Sequence, residues 1–324
     1  MAVGLCFQAR HKIEFGHFAH RRRRRAWLES MSIEQPRAAL LRCILSADMA
    51  RTGDADPPAR ATHMRWDPRQ YLKFSGHRLR PGLDLLDRVA VESPEIVCDL
   101  GCGSGQLTRL MAERWPAAQV YGLDHSPQML AEASREPSRV RWLEADISAW
   151  QPPERADLIY SNATLHWLAN HDQLFPRLMG FLQPGGCLAV QMPLSWDLPS
   201  HRLMRETLAN GGPQGRALGS EQLRQTVARK WVEDAAVYYG LLADRAASLD
   251  IWETEYLQVL EGDDAVLEWV KGTGLRPVLD GLDDAERTIF LLEYSRRLRQ
   301  AYPLRADGRT LYPFRRLFLV AAAR

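Results

Sequence analysis

The residues best placed to do chemistry are Val97-Cys98-Asp99-Leu100-Gly101-Cys102-Gly103-Ser104-Gly105-Gln106-Leu107, with Asp124 following 19 positions after Gly105 at the end of Gly122-Leu123-Asp124. An apolar run ends in a glycine-rich turn, a helical pattern follows, and the next apolar run ends in an acid. Glycines are needed where a strand-to-helix turn lets a ligand lie against its backbone, because the turn uses positive φ angles and leaves no room for Cβ atoms. An acid about 20 residues further on sits where a ribose diol is held at the end of the second strand of a doubly wound sheet. The layout is that of a nucleoside-cofactor site.

Details of the turn select the cofactor. A dinucleotide site requires G-x-G-x-x-G, with the pyrophosphate against the helix N-terminus. Here the spacing is G-x-G-x-G, and Gln106 stands where the third glycine would be. Asp99 would repel a pyrophosphate, whereas it suits an ammonium and a sulfonium. The reading is S-adenosylmethionine, with Asp99 near its methionine amino end, Gly101, Cys102 and Gly103 beneath it, and Asp124 on the ribose. Asp146, in Glu144-Ala145-Asp146-Ile147, is placed to accept the adenine amino group while Ile147 packs on the ring. Met129 and Asn162 complete the expected cofactor contacts.

Ser161-Asn162-Ala163-Thr164-Leu165-His166-Trp167 follows the fourth apolar run, where the acceptor would lie. It contains neither a D-P-P-Y nor an N-P-P-Y tetrad, and no carboxylate cluster suggests a metal. His166 is a candidate base, although a lone histidine before a tryptophan more often forms a packed wall. A carboxylic acid with a pKa near 4 needs no base, since it is already ionised at neutral pH. Its transfer reaction is a matter of positioning and water exclusion. Arginine then becomes the residue to look for, because its planar fork binds carboxylates bidentately and keeps its charge when desolvated. Candidates are Arg78, beside Tyr71 in Tyr71 to Pro81, Arg276 in Thr273 to Pro277, and Arg316 in Phe314 to Phe318. With His166 and Trp167, these residues make the expected substrate site.

The motif D-L-G-C-G-x-G resembles the first motif of the class I methyltransferases. WDPRQYLKFSGHRLRP, EADISAWQP, NATLHWLANHDQLFP, QPGGCLAVQMP, LMRE, DIWETEY, WVKGTGLRP and FRRLF together resemble the trans-aconitate 2-methyltransferases over nearly all of residues 66–323. The resemblance implies methyl transfer from S-adenosylmethionine to a carboxylate of trans-aconitate, giving a monomethyl ester and S-adenosylhomocysteine. His166 stands where that pattern has glutamine, and Arg315 where it has proline. The competing readings are a carboxyl methyltransferase acting on malonyl-acyl carrier protein, a nicotinamide dehydrogenase and a non-catalytic cofactor-binding module. The first needs a basic docking surface, and Asp99 and Gln106 oppose the second.

The elements that must position these residues alternate as in an α/β sheet. Strands are expected at 96–100, 120–124, 140–144, 158–162 and 187–192, with helices at 107–115, 128–134 and 171–182 between them. Ser126-Pro127 is a helix start, and Gln183-Pro184-Gly185-Gly186 a helix end leading into a strand. Strand-like 251–259 and 316–322 complete a doubly wound, seven-stranded, mostly parallel sheet, with helical insertions at about 195–248 and 264–302 forming a lid.

Bulk properties narrow the class. Of the 324 residues, 46% are apolar and 25% charged, as in a globular protein. Apolar runs stay well below the roughly 20 residues of a membrane span. Residues 1–63 hold 11 Arg or Lys against 6 Asp or Glu, including Arg21 to Arg25, so a net charge of +2 leaves residues 64–324 at −3. The extension is expected to be largely disordered, with a helix around 35–49, and to lie outside a methyltransferase domain at 64–324. The acidic body argues against nucleic-acid binding. Five scattered cysteines without ligand spacing argue against a disulfide framework or zinc site and for a cytoplasmic setting. The expected partner is a small polycarboxylate, with no membrane, metal or obligate protein partner.

Overall fold

The computed structural model describes residues 75–324, with side chains from Leu79 onward. The extension at 1–63, its expected helix and Tyr71 lie outside the described residues, as does the side chain of Arg78.

Seven strands form one sheet in the order β3-β2-β1-β4-β5-β7-β6, from β1 (Ile96–Leu100), β2 (Gln119–Asp124), β3 (Arg141–Glu144), β4 (Ala156–Asn162), β5 (Leu182–Pro193), β6 (Ala246–Glu261) and β7 (Arg309–Ala323). β1 to β5 run parallel, and β7 lies antiparallel between β5 and β6. β1 is buried throughout, which is why its apolar residues Ile96, Val97, Cys98 and Leu100 fall on both faces rather than alternating with polar ones, Asp99 being the exception. Strand order reverses between β1 and β4. That topological switch point is where open α/β sheets bind ligands, at the carboxyl ends of the strands.

The helices α1 (Ser75–Leu86), α2 (Gln106–Arg114), α3 (Pro127–Ala133) and α4 (His171–Gly180) belong to the sheet layers. Ser126 caps α3, its hydroxyl accepting from the Met129 amide at 3.3 Å with Pro127 in the first turn. α4 stops at Gly180, two residues before its expected end. Gln183–Gly186 then bulges out of β5, for the pairing jumps from Ala156 with Leu182 to Leu158 with Cys187. α1 was not expected as a helix, because Gly76, Pro81 and Gly82 are breakers in sequence. Its backbone is held by the sheet: the Tyr160 hydroxyl donates to the Gly82 carbonyl at 2.7 Å, and the Tyr256 hydroxyl to Asp84 at 2.6 Å.

The remaining helices are α5 (Pro199–Asn210), α6 (Glu221–Ala228), α7 (Ala235–Leu242), α8 (Ala265–Lys271), α9 (Arg276–Asp280) and α10 (Asp284–Ala301). The two helical insertions do not form separate units. Met204 and Leu208 of α5 share one core with Trp269, Val278, Phe290, Tyr294 and Tyr312, whereas Tyr238 and Leu242 of α7 join the sheet core under α4.

Ser200 ties this lid together. Its amide donates to the Tyr302 hydroxyl at 3.0 Å, its carbonyl accepts from Tyr294 at 2.9 Å, and its hydroxyl meets Tyr312 at 3.0 Å. Both Tyr294 and Tyr312 are fully buried. A buried hydroxyl left without its partner costs about 1–3 kcal/mol. Ser200→Ala should therefore lower unfolding free energy by about 1–3 kcal/mol in urea titrations, with the slope unchanged.

Candidate functional site

The glycine turn is built from the end of β2. Gly101 and Cys102 amides both donate to the Leu123 carbonyl at 2.8 Å, and the Gly103 amide donates to Asp124 Oδ2 at 2.9 Å. Asp124 Oδ1 accepts from the Ser126 amide at 2.9 Å. With 9% of its surface exposed, Asp124 presents a fixed carboxylate at the strand end.

The three glycines do different work. Gly101, Gly103 and Gly105 all have positive φ, at 78°, 54° and 77°. A Cβ on Gly101 would come within 2.1 Å of the Thr164 side chain, and one on Gly105 within 2.4 Å of the Trp142 ring. Their bare backbones serve internal packing. A Cβ on Gly103 would meet nothing within 4 Å, so this glycine opens onto free space beside Asp124. That cradle fits a nucleoside cofactor.

Asp99 is 2% exposed and its Oδ2 accepts from the Thr108 hydroxyl at 2.5 Å. Burial raises its carboxyl to about 7; the Thr108 bond opposes this and the Asp124 charge adds to it. Two buried acids at the strand ends suit a cationic ligand and repel a pyrophosphate. Met129 is buried at the start of α3, and Cys102 is half-buried, its thiol pushed up by burial. Asp146 is exposed, accepts from the Ser148 amide at 2.8 Å and is held below the usual carboxylate range by its bonds with Ser148. Ile147, expected on an adenine face, is buried beside this loop. It packs in the sheet core with Leu174 and Phe175, drawn there by its apolar side chain.

Asn162 ends β4 between the two halves of the site, and its buried Oδ1 has no hydrogen-bond partner among the described residues. The next residue, Ala163, is left-handed with φ 54°, and its amide donates to the Gln191 carbonyl at 2.9 Å. Leu165–Trp167 then form a single 3-10 turn. His171 pins it: Nε2–H donates to the Leu165 carbonyl at 2.9 Å, while Nδ1 accepts from the Tyr238 hydroxyl at 2.7 Å.

His166 and Trp167 leave this turn and line a cavity of about 490 Å³ between the strand ends and the lid. His166 is half-buried, 4.7 Å from the Trp167 ring between centroids. Burial, followed by the charge of Arg316 and the neighbouring His171 and His201, lowers it to about 3. It is a neutral wall, not a cation. Arg316 is buried and lines the same cavity. Its Nη1 donates to Gln191 Oε1 at 3.3 Å and its guanidinium lies 4.4 Å from the Phe314 ring centroid.

Arg276 lies apart from this cavity. As the first residue of α9 it is absent from the cavity lining, to which the same loop contributes Thr273, Gly274 and Pro277. Arg315 pairs with Glu253. The lid instead supplies residues that sequence reasoning passed over: Trp196, His201, Arg205 and Arg229. The signal available for Arg205 was its place in Leu203-Met204-Arg205-Glu206. Burial and the Arg205 charge lower His201 to about 4, so it too is neutral. Five basic residues, Arg205, Arg229, Lys230, Arg315 and Arg316, line the cavity against the acids Asp197, Asp234 and Glu253. The balance favours an anion.

A sequence family described as a methyltransferase domain matches residues 97–186. A trans-aconitate 2-methyltransferase from Pseudomonas aeruginosa is 47% identical over 258 residues, covering 80% of this chain and 94% of its own. Proteins of the same name from Azoarcus sp. and Escherichia coli are 47% and 43% identical, covering 79% of this chain and 98% and 97% of theirs.

Two outcomes test this geometry. Gly101→Ala should cost about 2 kcal/mol or more, seen as a lowered Tm, whereas Gly103→Ala should cost only the backbone term of about 1–2 kcal/mol and abolish S-adenosylmethionine binding in calorimetry. A cation bound beside Asp99 lowers its pKa from about 7, so binding should release protons at pH 7 and weaken as pH falls below that value. Calorimetry in two buffers of different ionisation enthalpy measures the proton count; none released would put Asp99 beyond reach of the charge.

Proposed function

This chain belongs to the trans-aconitate 2-methyltransferase family of S-adenosylmethionine-dependent methyltransferases, and from that premise we propose that its cavity binds trans-aconitate and its residues act by positioning. The protein transfers a methyl group from S-adenosylmethionine to a carboxylate of the acid, leaving a monomethyl ester and S-adenosylhomocysteine. The observation that carries the positioning argument is a cavity walled by two neutral histidines and floored by a buried arginine.

The cofactor supplies an electrophilic methyl on a positively charged sulfur. Asp124 holds the ribose, Asp146 the adenine edge, and Gly103 leaves the space the nucleoside fills. Asp99 offers negative charge beneath the amino-acid end. Asn162 and Ala163 set the seam where the two halves meet.

Attack requires a lone pair on oxygen, and the substrate brings it already ionised. No proton has to be removed. This agrees with His166, which is neutral and has a buried Nδ1 with no hydrogen-bond partner among the described residues. The bond formed joins carboxylate oxygen to methyl carbon, and the electrons of the broken carbon–sulfur bond stay on sulfur. An anion and a cation become two neutral groups. Excluding water from the cavity favours that loss of charge. Arg316, fixed by Gln191 and Phe314, neutralises a carboxylate of the acid without taking part in the bond change. The small polycarboxylate is the partner this site fits, and among the described residues no helix is long and apolar enough to cross a membrane.

Incubation with S-adenosylmethionine and a panel of di- and tricarboxylic acids, including both aconitate isomers, tests the reading by mass spectrometry. The expected product is the trans-aconitate monoester, formed in equal amount with S-adenosylhomocysteine; absence of any ester defeats it. At saturating cofactor, kcat should be flat from about pH 6.5 to 9, because the substrate acids and His166 titrate well below that window.

A further inference from the structure

Two lid arginines have no part in the roles above. Arg205, in α5, is half-buried and lines the cavity with its guanidinium 4.0 Å from the Trp196 ring centroid. Arg229, just beyond α6, lines the same cavity and lies 4.3 Å from the Trp231 centroid. Stacking occupies the face of each guanidinium and leaves its N–H edge for a ligand. The two are joined, since the Trp196 indole donates to the carbonyl of Ala228, the residue before Arg229, at 3.2 Å.

Their electrostatic state sets them apart from the other cavity cations. Lys230 is paired with Asp234 at 2.8 Å and Arg315 with Glu253. Among the described residues, neither Arg205 nor Arg229 meets a carboxylate within 4 Å. Burial lowers the Arg205 pKa, the Asp197 and Glu206 charges oppose this from beyond pairing distance, and Arg202 adds to it. Asp197 is the cavity acid outside those pairs, and one carboxylate cannot balance two guanidiniums.

We propose that Arg205, assisted by Arg229, forms a second anion site in the lid that binds the carboxylates of the substrate not being methylated, so that the enzyme selects polycarboxylates over monocarboxylates. This deepens the acid-methylating function above and rests on it. Arg316 engages the acid from the sheet and Arg205 from the lid. A monocarboxylate cannot satisfy both. Arg205 is a specificity residue that touches substrate, and its Trp196 platform sets the direction of its donors.

The test measures KM for trans-aconitate and for crotonate, a monocarboxylate, in the wild type and in Arg205→Met, Arg205→Lys and Arg229→Met. Alongside, calorimetry follows binding of propane-1,2,3-tricarboxylate in the presence of S-adenosylhomocysteine, which needs no turnover. Loss of a charge-assisted bond predicts that Arg205→Met weakens both tricarboxylates at least about tenfold, with the lysine variant recovering part of the loss. Affinity for S-adenosylhomocysteine and KM for crotonate should stay within about twofold. Unchanged tricarboxylate affinity overturns the proposal, as does an equal loss for cofactor or crotonate. A wild type that binds the tricarboxylate through Arg205 but esterifies nothing would keep the anion site and defeat the reaction instead.

Discussion

The Asp124 carboxylate, nearly buried and bonded through one oxygen to the Gly103 amide and through the other to the Ser126 amide, is the interaction on which the site depends. It joins the end of β2 to the glycine turn after β1 and to the start of α3. The turn is thereby held open while its flanking glycines are closed by Thr164 and Trp142. A ligand entering this cradle meets a surface that does not need to reorganise, and such preorganisation is where binding free energy is conserved.

The second half of the site is built on a different principle. Its lid has its own apolar core, and α5 is referred to that core through Ser200, whose amide, carbonyl and hydroxyl each meet a tyrosine. His201 and Arg205 lie within the next two turns of the same helix. The start of α5, from which the cavity side chains project, is therefore located by hydrogen bonds to the lid tyrosines. The sheet contributes the complementary wall through a turn pinned by His171 and through Arg316. Two hydrogen-bonded walls thus face one another across the cavity.

Much of this was readable in the sequence, and for physical reasons. Buried parallel strands write continuous apolar runs, so β1, β2 and β4 were found close to their ends. Ser126-Pro127 named the start of α3 because capping is a local interaction. What escaped were features decided by distant contacts. α1 forms despite its breakers because Tyr160 and Tyr256 hold it. Of the arginines expected on the substrate, Arg316 reached the cavity, whereas Arg276 did not, and Arg205, present in the LMRE segment, took a place there that its sequence position alone did not reveal. Charge and type are visible in a sequence; the direction a side chain takes from its helix is set by the fold.

Ala163 carries a final consequence. A left-handed alanine costs of order 1 kcal/mol relative to glycine, so its methyl is retained at the expense of stability. The residue lines the cavity directly after Asn162. A side chain there narrows the torsional freedom of the chain between β4 and the 3-10 turn. The turn after β4 is thus restrained by composition at a point where glycine would leave the chain freer.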